Sequence, residues 1–262
     1  MEVKNENTLA TLNPKSIPAT LRIGVTGHRD LTEMETIVLN IRQIINQLDD
    51  WFKKKLVHTP YHTYAVVSPL AEGADRLVAK EVLDWNTSSD AGKPWLEAVL
   101  PLPEEDYIRD FTQKDSRDKF YELFNRRTSV KIFPPTELRE KAYETAGHYV
   151  VDNCDVLIAV WDGKEAKGQG GTAEIYKCAK DMGRHIFRIN SKNGEVKEIK
   201  PKGIGRKYIE SLKDLNELNA GKKFQDEPCK GFIKTIDGNP WVLVSVDSTN
   251  IGLVCMAGNP LI

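Results

Sequence analysis

The segment Asp162-Gly163-Lys-Glu-Ala-Lys-Gly168-Gln-Gly170-Gly171-Thr172-Ala-Glu174 concentrates glycines, a hydroxyl and carboxylates just ahead of a helical pattern. Glycines let a backbone approach a phosphate closely. The first amides of a following helix are donors without intrahelical partners, in a dipole field that favours an anion. Thr172 either caps that helix or bonds a phosphate oxygen. An ordinary turn with a threonine cap uses the same residue types. What favours a ligand is the strand in front, Asp155-Val-Leu-Ile-Ala-Val-Trp161, because ligands of open α/β sheets sit beyond the carboxyl ends of the strands.

Two other loops follow apolar runs in the same way. Gly27-His28-Arg29 is a donor-rich turn in which Gly27 permits close approach, while His28 and Arg29 can meet a phosphate or carboxylate. Its plainer reading is a solvated strand-to-helix turn with Asp30 or Thr32 as the cap. Ser68-Pro-Leu-Ala-Glu72-Gly73-Ala-Asp75 sets two acids at a helix start, which suits capping. Glu72 is otherwise placed to bond a ribose hydroxyl, as acidic residues do in dinucleotide folds. Arg126, Arg127 and Arg139 are further candidates for anion contact, each in a segment with helical pattern.

The elements that must hold these loops alternate. Leu21 to Thr26 reads as a strand, and Glu33 to Lys54 as a helix with Ile37, Ile41, Ile44, Ile45, Leu48 and Phe52 at helical spacing. Tyr64 to Val67, Trp95 to Leu100, Val130 to Phe133, Asp155 to Trp161 and His185 to Ile189 are the remaining strands. Helices are expected between them at Arg76 to Trp85, Asp115 to Arg127, Glu137 to Asn153 and Thr172 to Met182. Parallel strands need helical crossovers, so the pattern predicts an α/β fold, a Rossmann-like, doubly wound, mostly parallel sheet over residues 21 to 190. Residues 1 to 20 are expected to form a disordered or extended arm. Residues 191 to 262 are expected to form a small α+β appendage: a linker at Asn190 to Lys207, a helix at Tyr208 to Asn219, and a β-hairpin whose strands flank Asp237-Gly-Asn-Pro240.

The 262 residues carry 37 basic and 38 acidic side chains, a formal net charge of -1, so nothing in the balance calls for nucleic acid or anionic membrane as partner and a small molecule is the default. The four cysteines show no zinc-ligand spacing and read as reduced, and no apolar stretch is long enough to span a bilayer. A cytoplasmic protein without metal or cofactor is expected. The G-x-S-x-G elbow, the Walker A loop, H-E-x-x-H and a G-x-G-x-x-G after the first strand are all missing. Hydrolase triads, P-loop NTPases and typical dehydrogenases are thereby disfavoured.

Five stretches together resemble the SLOG superfamily, Rossmann-like domains related to the Smf/DprA proteins and to the LOG phosphoribohydrolases, and more narrowly a bacterial branch of it. They are Arg22 to Arg29, Ser68 to Asp75, Leu100 to Pro103, Asp155 to Gly163 and Gly170 to Glu174. The resemblance implies that the first and last of these loops bind a nucleotide or nucleotide-derived molecule, through Gly27, His28, Arg29, Gly168, Gly170, Gly171, Thr172 and Glu174. Members either cleave the N-glycosidic bond of nucleoside monophosphates or sense nucleotide second messengers. LOG enzymes place their glutamate three residues after the threonine, whereas Glu174 stands two after Thr172. On a helix that shift is a rotation of about 100 degrees, enough to turn the carboxylate from the same ligand atom. The expectation is a ligand sensor, working as a homo-oligomer or coupled to an effector. The alternative is a nucleoside-monophosphate N-glycosidase with Glu174 or Glu72 as acid or nucleophile and Arg29 or Arg139 on the phosphate.

Overall fold

Val156–Val160, five apolar residues buried on both faces, is a strand that only the middle of a sheet can accommodate. In the computed structural model it does lie there. The structure describes residues 19–55, 62–85, 93–136, 138–164 and 171–201, and the strands at 233–236, 239–245 and 251–255. The main sheet contains β1 (Ala19–Gly27), β2 (His62–Ser68), β3 (Trp95–Leu100), β4 (Arg127–Ile132), β5 (Val156–Val160), β6 (His185–Ile189) and β7 (Val196–Ile199). Their spatial order is β4-β3-β2-β1-β5-β6-β7. The strands β1 to β6 pair in parallel, and β7 joins β6 antiparallel. The chain therefore winds outward from β1 in one direction and returns to wind outward from β5 in the other. This is a Rossmann-like, doubly wound α/β fold, with its topological switch between β1 and β5.

The helices are α1 (Met34–Lys55), α2 (Ala74–Leu83), α3 (Glu104–Tyr107), α4 (Lys114–Phe124), α5 (Arg139–Asp152) and α6 (Thr172–Asp181). Alternation along the strands sorts them into two layers. Leu21, Ile23 and Val25 of β1 and Ile158 and Val160 of β5 point to the layer of α1, α2 and α4. There they pack with Ile37, Ile41 and Ile45, with Val78 and Val82, and with Phe120. Leu157 and Ala159 point the other way, to Ala146 and Val150 of α5 and Ile175 and Ala179 of α6. The helical spacing of the isoleucines in the first helix is thus the spacing of its buried stripe.

Three elements differ from the sequence pattern. Val196–Ile199 lies inside the expected linker, yet it pairs with β6 from Ile186 to Ile189. Val196, Lys197 and Glu198 are exposed and only Ile199 packs against the core, as befits an edge strand. The fourth helix stops at Phe124, and Arg127 begins β4 rather than ending a helix. Its guanidinium lies 3.7 Å from the centre of the Phe124 ring. The expected hairpin is present as β8 (Ile233–Ile236) and β9 (Asn239–Ser245), extended by β10 (Ile251–Cys255) into a three-stranded antiparallel sheet. Residues 237–238 of its turn, the expected helix at 208–219 and the N-terminal arm up to residue 18 lie outside the described residues. Among the described residues no helix is long and apolar enough to cross a membrane.

One buried polar assembly joins the sheet to α5. Arg22 of β1 forms an ion pair with Glu97 of β3, and both side chains are almost fully enclosed. The Arg22 Nε donates to the Asn153 carbonyl at 2.6 Å, and the Tyr149 hydroxyl of α5 donates to Glu97 at 2.6 Å. Breaking a buried pair leaves an uncompensated charge, which costs more than replacing both members. Arg22→Met is expected to lower unfolding free energy by roughly 3–5 kcal/mol, and the double variant Arg22→Met/Glu97→Met to recover more than half of that loss. Urea denaturation decides it, and equal losses in the single and double variants would contradict the account.

Candidate functional site

The carboxyl ends of β1 and β5 open onto a cleft of about 660 Å³. A concavity of this size at the switch point is where such sheets take small molecules. The backbone at its base is closely determined. As the chain leaves β1, the His28 amide donates to the Val160 carbonyl at 3.0 Å, and the Ala74 amide at the head of α2 donates to the His28 carbonyl at 3.0 Å. A Cβ on Gly27 would overlap the side chain of Ala74 and stand 2.7 Å from the Val160 carbonyl. Gly73 has a φ of +76°, and a Cβ there would collide with the carbonyls of His28 and Arg29. These two glycines are demanded by chain meeting chain, so the freedom of approach expected of Gly27 toward a ligand is already taken up by α2.

The rim near β5 is polar. Asp162 accepts from the Lys164 amide at 3.1 Å and faces His28 Nε2 at 3.7 Å and Lys192 Nζ at 3.9 Å. The Lys164 amide, and then the nearby cationic groups, hold its carboxyl below the ordinary range. Gly163 takes a φ of +87° to turn the chain, and the Trp161 indole donates to the Lys164 carbonyl at 2.9 Å, which closes the loop. His28 Nδ1 lies 3.2 Å from the Ser191 hydroxyl. Opposite stands the start of α6. Its N-cap is Gly171, with no side-chain cap, and Thr172 is the first helical residue rather than the cap. Gly171, Thr172 and Ala173 line the cleft together with Arg29, Lys164 and Lys192. Asp30 and Glu140, both exposed, also border it. Gly168 and Gly170 lie outside the described residues.

The loop after β2 forms the other end. Ser68 is fully buried; its hydroxyl donates to the Asp75 carbonyl at 3.2 Å and accepts from the Leu70 amide at 3.1 Å, so it shapes the turn from within. Glu72 accepts from the Ser116 hydroxyl and pairs with Arg29 at 3.9 Å. It is not among the residues lining the cleft. Arg76, beneath it, donates to the Leu70 carbonyl at 2.9 Å and lies over the Phe111 ring at 4.3 Å. Asp75 does line the cleft, and burial pushes its carboxyl up to about 7, against a backbone hydrogen bond from Ala71 and the charges of Arg29 and Arg76.

The remaining candidates lie elsewhere. Glu174 turns toward α5, 4.0 Å from His148 Nε2, and does not line the cleft. Arg126 pairs with Asp84 at 2.7 Å and Arg139 with Asp110 at 2.6 Å. Tyr107, Tyr143, Lys164 and Lys192 line the cleft without having been singled out in the sequence. The acidic and aromatic run after Pro101-Leu-Pro103 was the available signal for Tyr107, and the two lysines sat in loops whose composition reads as solvated. The chain matches no protein-family model and none of the curated proteins with which it was compared.

Because the folded state raises the Asp75 pKa, it binds a proton that the unfolded chain releases near the ordinary carboxylate range. Its contribution to stability is full below about pH 4 and is lost as pH rises through about 7. Asp75→Asn keeps an uncharged group of the same shape. It is expected to match wild type near pH 4 and to exceed it at pH 8 by on the order of 1–4 kcal/mol. Urea unfolding at the two pH values measures this, and a constant difference would mean that Asp75 does not hold its proton in the fold.

Proposed function

We propose that this chain binds a phosphate-bearing, nucleotide-derived small molecule in the β1/β5 cleft, as a cytoplasmic sensor of SLOG type. The carrying observation is the start of α6: an N-terminus capped by a glycine without a side-chain bond, opening into the cleft at the topological switch. The first-turn amides of a helix and its dipole suit a phosphate. Arg29, Lys164 and Lys192 add cationic side chains around the same opening. Asp162, an acid of the same rim, is already engaged by the Lys164 amide and the Lys192 ammonium. The antiparallel sheet β8 to β10 is the part we assign to association with a second copy or an effector, since β8 and β10 are its edge strands.

Cleavage of an N-glycosidic bond through Glu174 is the weaker reading, because that carboxylate faces His148 on α5 rather than the cleft. Binding without base release is therefore the expected behaviour toward nucleoside monophosphates. Free base accumulating with enzyme concentration, followed by chromatography, would reverse the order of the two readings.

Gly171→Asp introduces bulk and negative charge at the helix start, where the phosphate is to sit. In calorimetry against a panel of nucleoside monophosphates, ADP-ribose and cyclic dinucleotides, it is expected to lower affinity at least about a hundredfold, roughly 2.7 kcal/mol. Its circular dichroism and unfolding midpoint should stay near wild type. Unchanged affinity for a ligand that the wild type binds would remove the α6 start from the site.

A further inference from the structure

The inner wall of the cleft carries two groups that phosphate recognition leaves unused. Tyr107, the last residue of α3, is fully buried, with its ring edge-on to Phe111 at 5.1 Å and to Phe120 at 6.0 Å. The ring is thereby fixed, and its hydroxyl has no hydrogen-bond partner among the described residues. Leaving a buried hydroxyl unpaired opposes folding, so such a group in a cleft wall marks a place where a partner enters. Asp75 lies on the same wall, near enough for its charge to act on the Tyr107 phenol.

We infer that Asp75 and Tyr107 form a subsite for the hydroxyl groups of a ribose, an inference that rests on reading the cleft as a nucleotide site. Both groups can donate and accept hydrogen bonds, the carboxyl as donor only in its protonated form. The Asp75 carboxyl is pushed up to about 7 by burial, so near neutral pH both its forms are populated. The ionisable groups acting on the pair come from separate elements: Arg29 from the turn after β1, Arg76 from α2, and Asp110 from the turn after α3. An anion would meet the Asp75 carboxyl here, whereas the first turn of α6 lies at the other end. A sugar hydroxyl can donate a hydrogen bond to the carboxylate and accept one from the phenol. Tyr143, whose ring centre lies 6.2 Å from that of Tyr107, gives the same wall an apolar surface for the sugar carbons.

Tyr107→Phe removes one oxygen and no existing bond, so the variant should be at least as stable as wild type. Calorimetry on the full chain with ribose 5-phosphate and with inorganic phosphate separates the ends of the cleft. Tyr107→Phe is expected to weaken ribose 5-phosphate by about fivefold to tenfold, the range of one hydrogen bond, and to leave phosphate within about twofold. Asp75→Ala should weaken the sugar phosphate in the same selective way. Unchanged ribose 5-phosphate affinity in both variants would assign the Tyr107 hydroxyl to solvent and overturn the subsite. Equal losses for the two probes would overturn it too, by reducing Tyr107 to a shaping role. A wild type that takes phosphate but not ribose 5-phosphate overturns the subsite alone, and one that binds neither overturns the nucleotide reading together with it.

Discussion

The backbone of His28 is gripped from both sides: its amide is bonded to the last carbonyl of β5 and its carbonyl to the first amide of α2. Nothing larger than hydrogen fits at Gly27 or Gly73, so strand, turn and helix meet at backbone distance. This contact fixes where β1 ends relative to β5, and therefore where the switch of the doubly wound sheet opens. The side chains of His28 and Arg29 project from a turn that cannot shift without separating α2 from the sheet. A loop so constrained is suited to presenting groups in a preorganised geometry, which lowers the entropic cost of binding.

The cleft has two chemically different ends. Toward β5 and α6 lie the first turn of α6 and the side chains of Lys164 and Lys192, with Asp162 stabilised as an anion by an amide and by the lysines around it. Toward β2 and α3 lie a carboxyl that burial disposes to keep its proton and a phenol held in an aromatic cluster. Such polarity within one cavity matches a molecule that is anionic at one end and neutral and hydroxylated at the other. Beneath it, Arg22, Glu97 and Tyr149 lock β1, β3 and α5 together, so the sheet and the helix layer that carries α5 share one buried network.

Much of this was legible in the sequence wherever burial imposes a pattern. The apolar run of β5, the isoleucine stripe of α1 and the positions of the three loops follow from periodicity and from the need for helical crossovers. Features set by contact between distant segments were not. Gly27 reads as a glycine open to a ligand until Ala74, far along the chain, is found against it. Val196–Ile199 lies in a stretch rich in Lys, Gly and Asn, and an edge strand with a single residue packed on the core, Ile199, leaves little apolar pattern to read. Tyr107 could not be connected to Asp75 before the packing of α3 was known. The direction of Glu174 follows from helix geometry, yet the presence of His148 opposite it depends on how α5 lies beside α6.

Hydrogen–deuterium exchange of the full chain, with and without saturating AMP, tests the central claim most directly. Binding at the switch predicts slowed exchange concentrated in the amides of residues 28–30 and 171–174, with the outer face of α5 unchanged. Protection confined to other segments, or unaltered exchange at both loops while AMP is demonstrably bound, would contradict it.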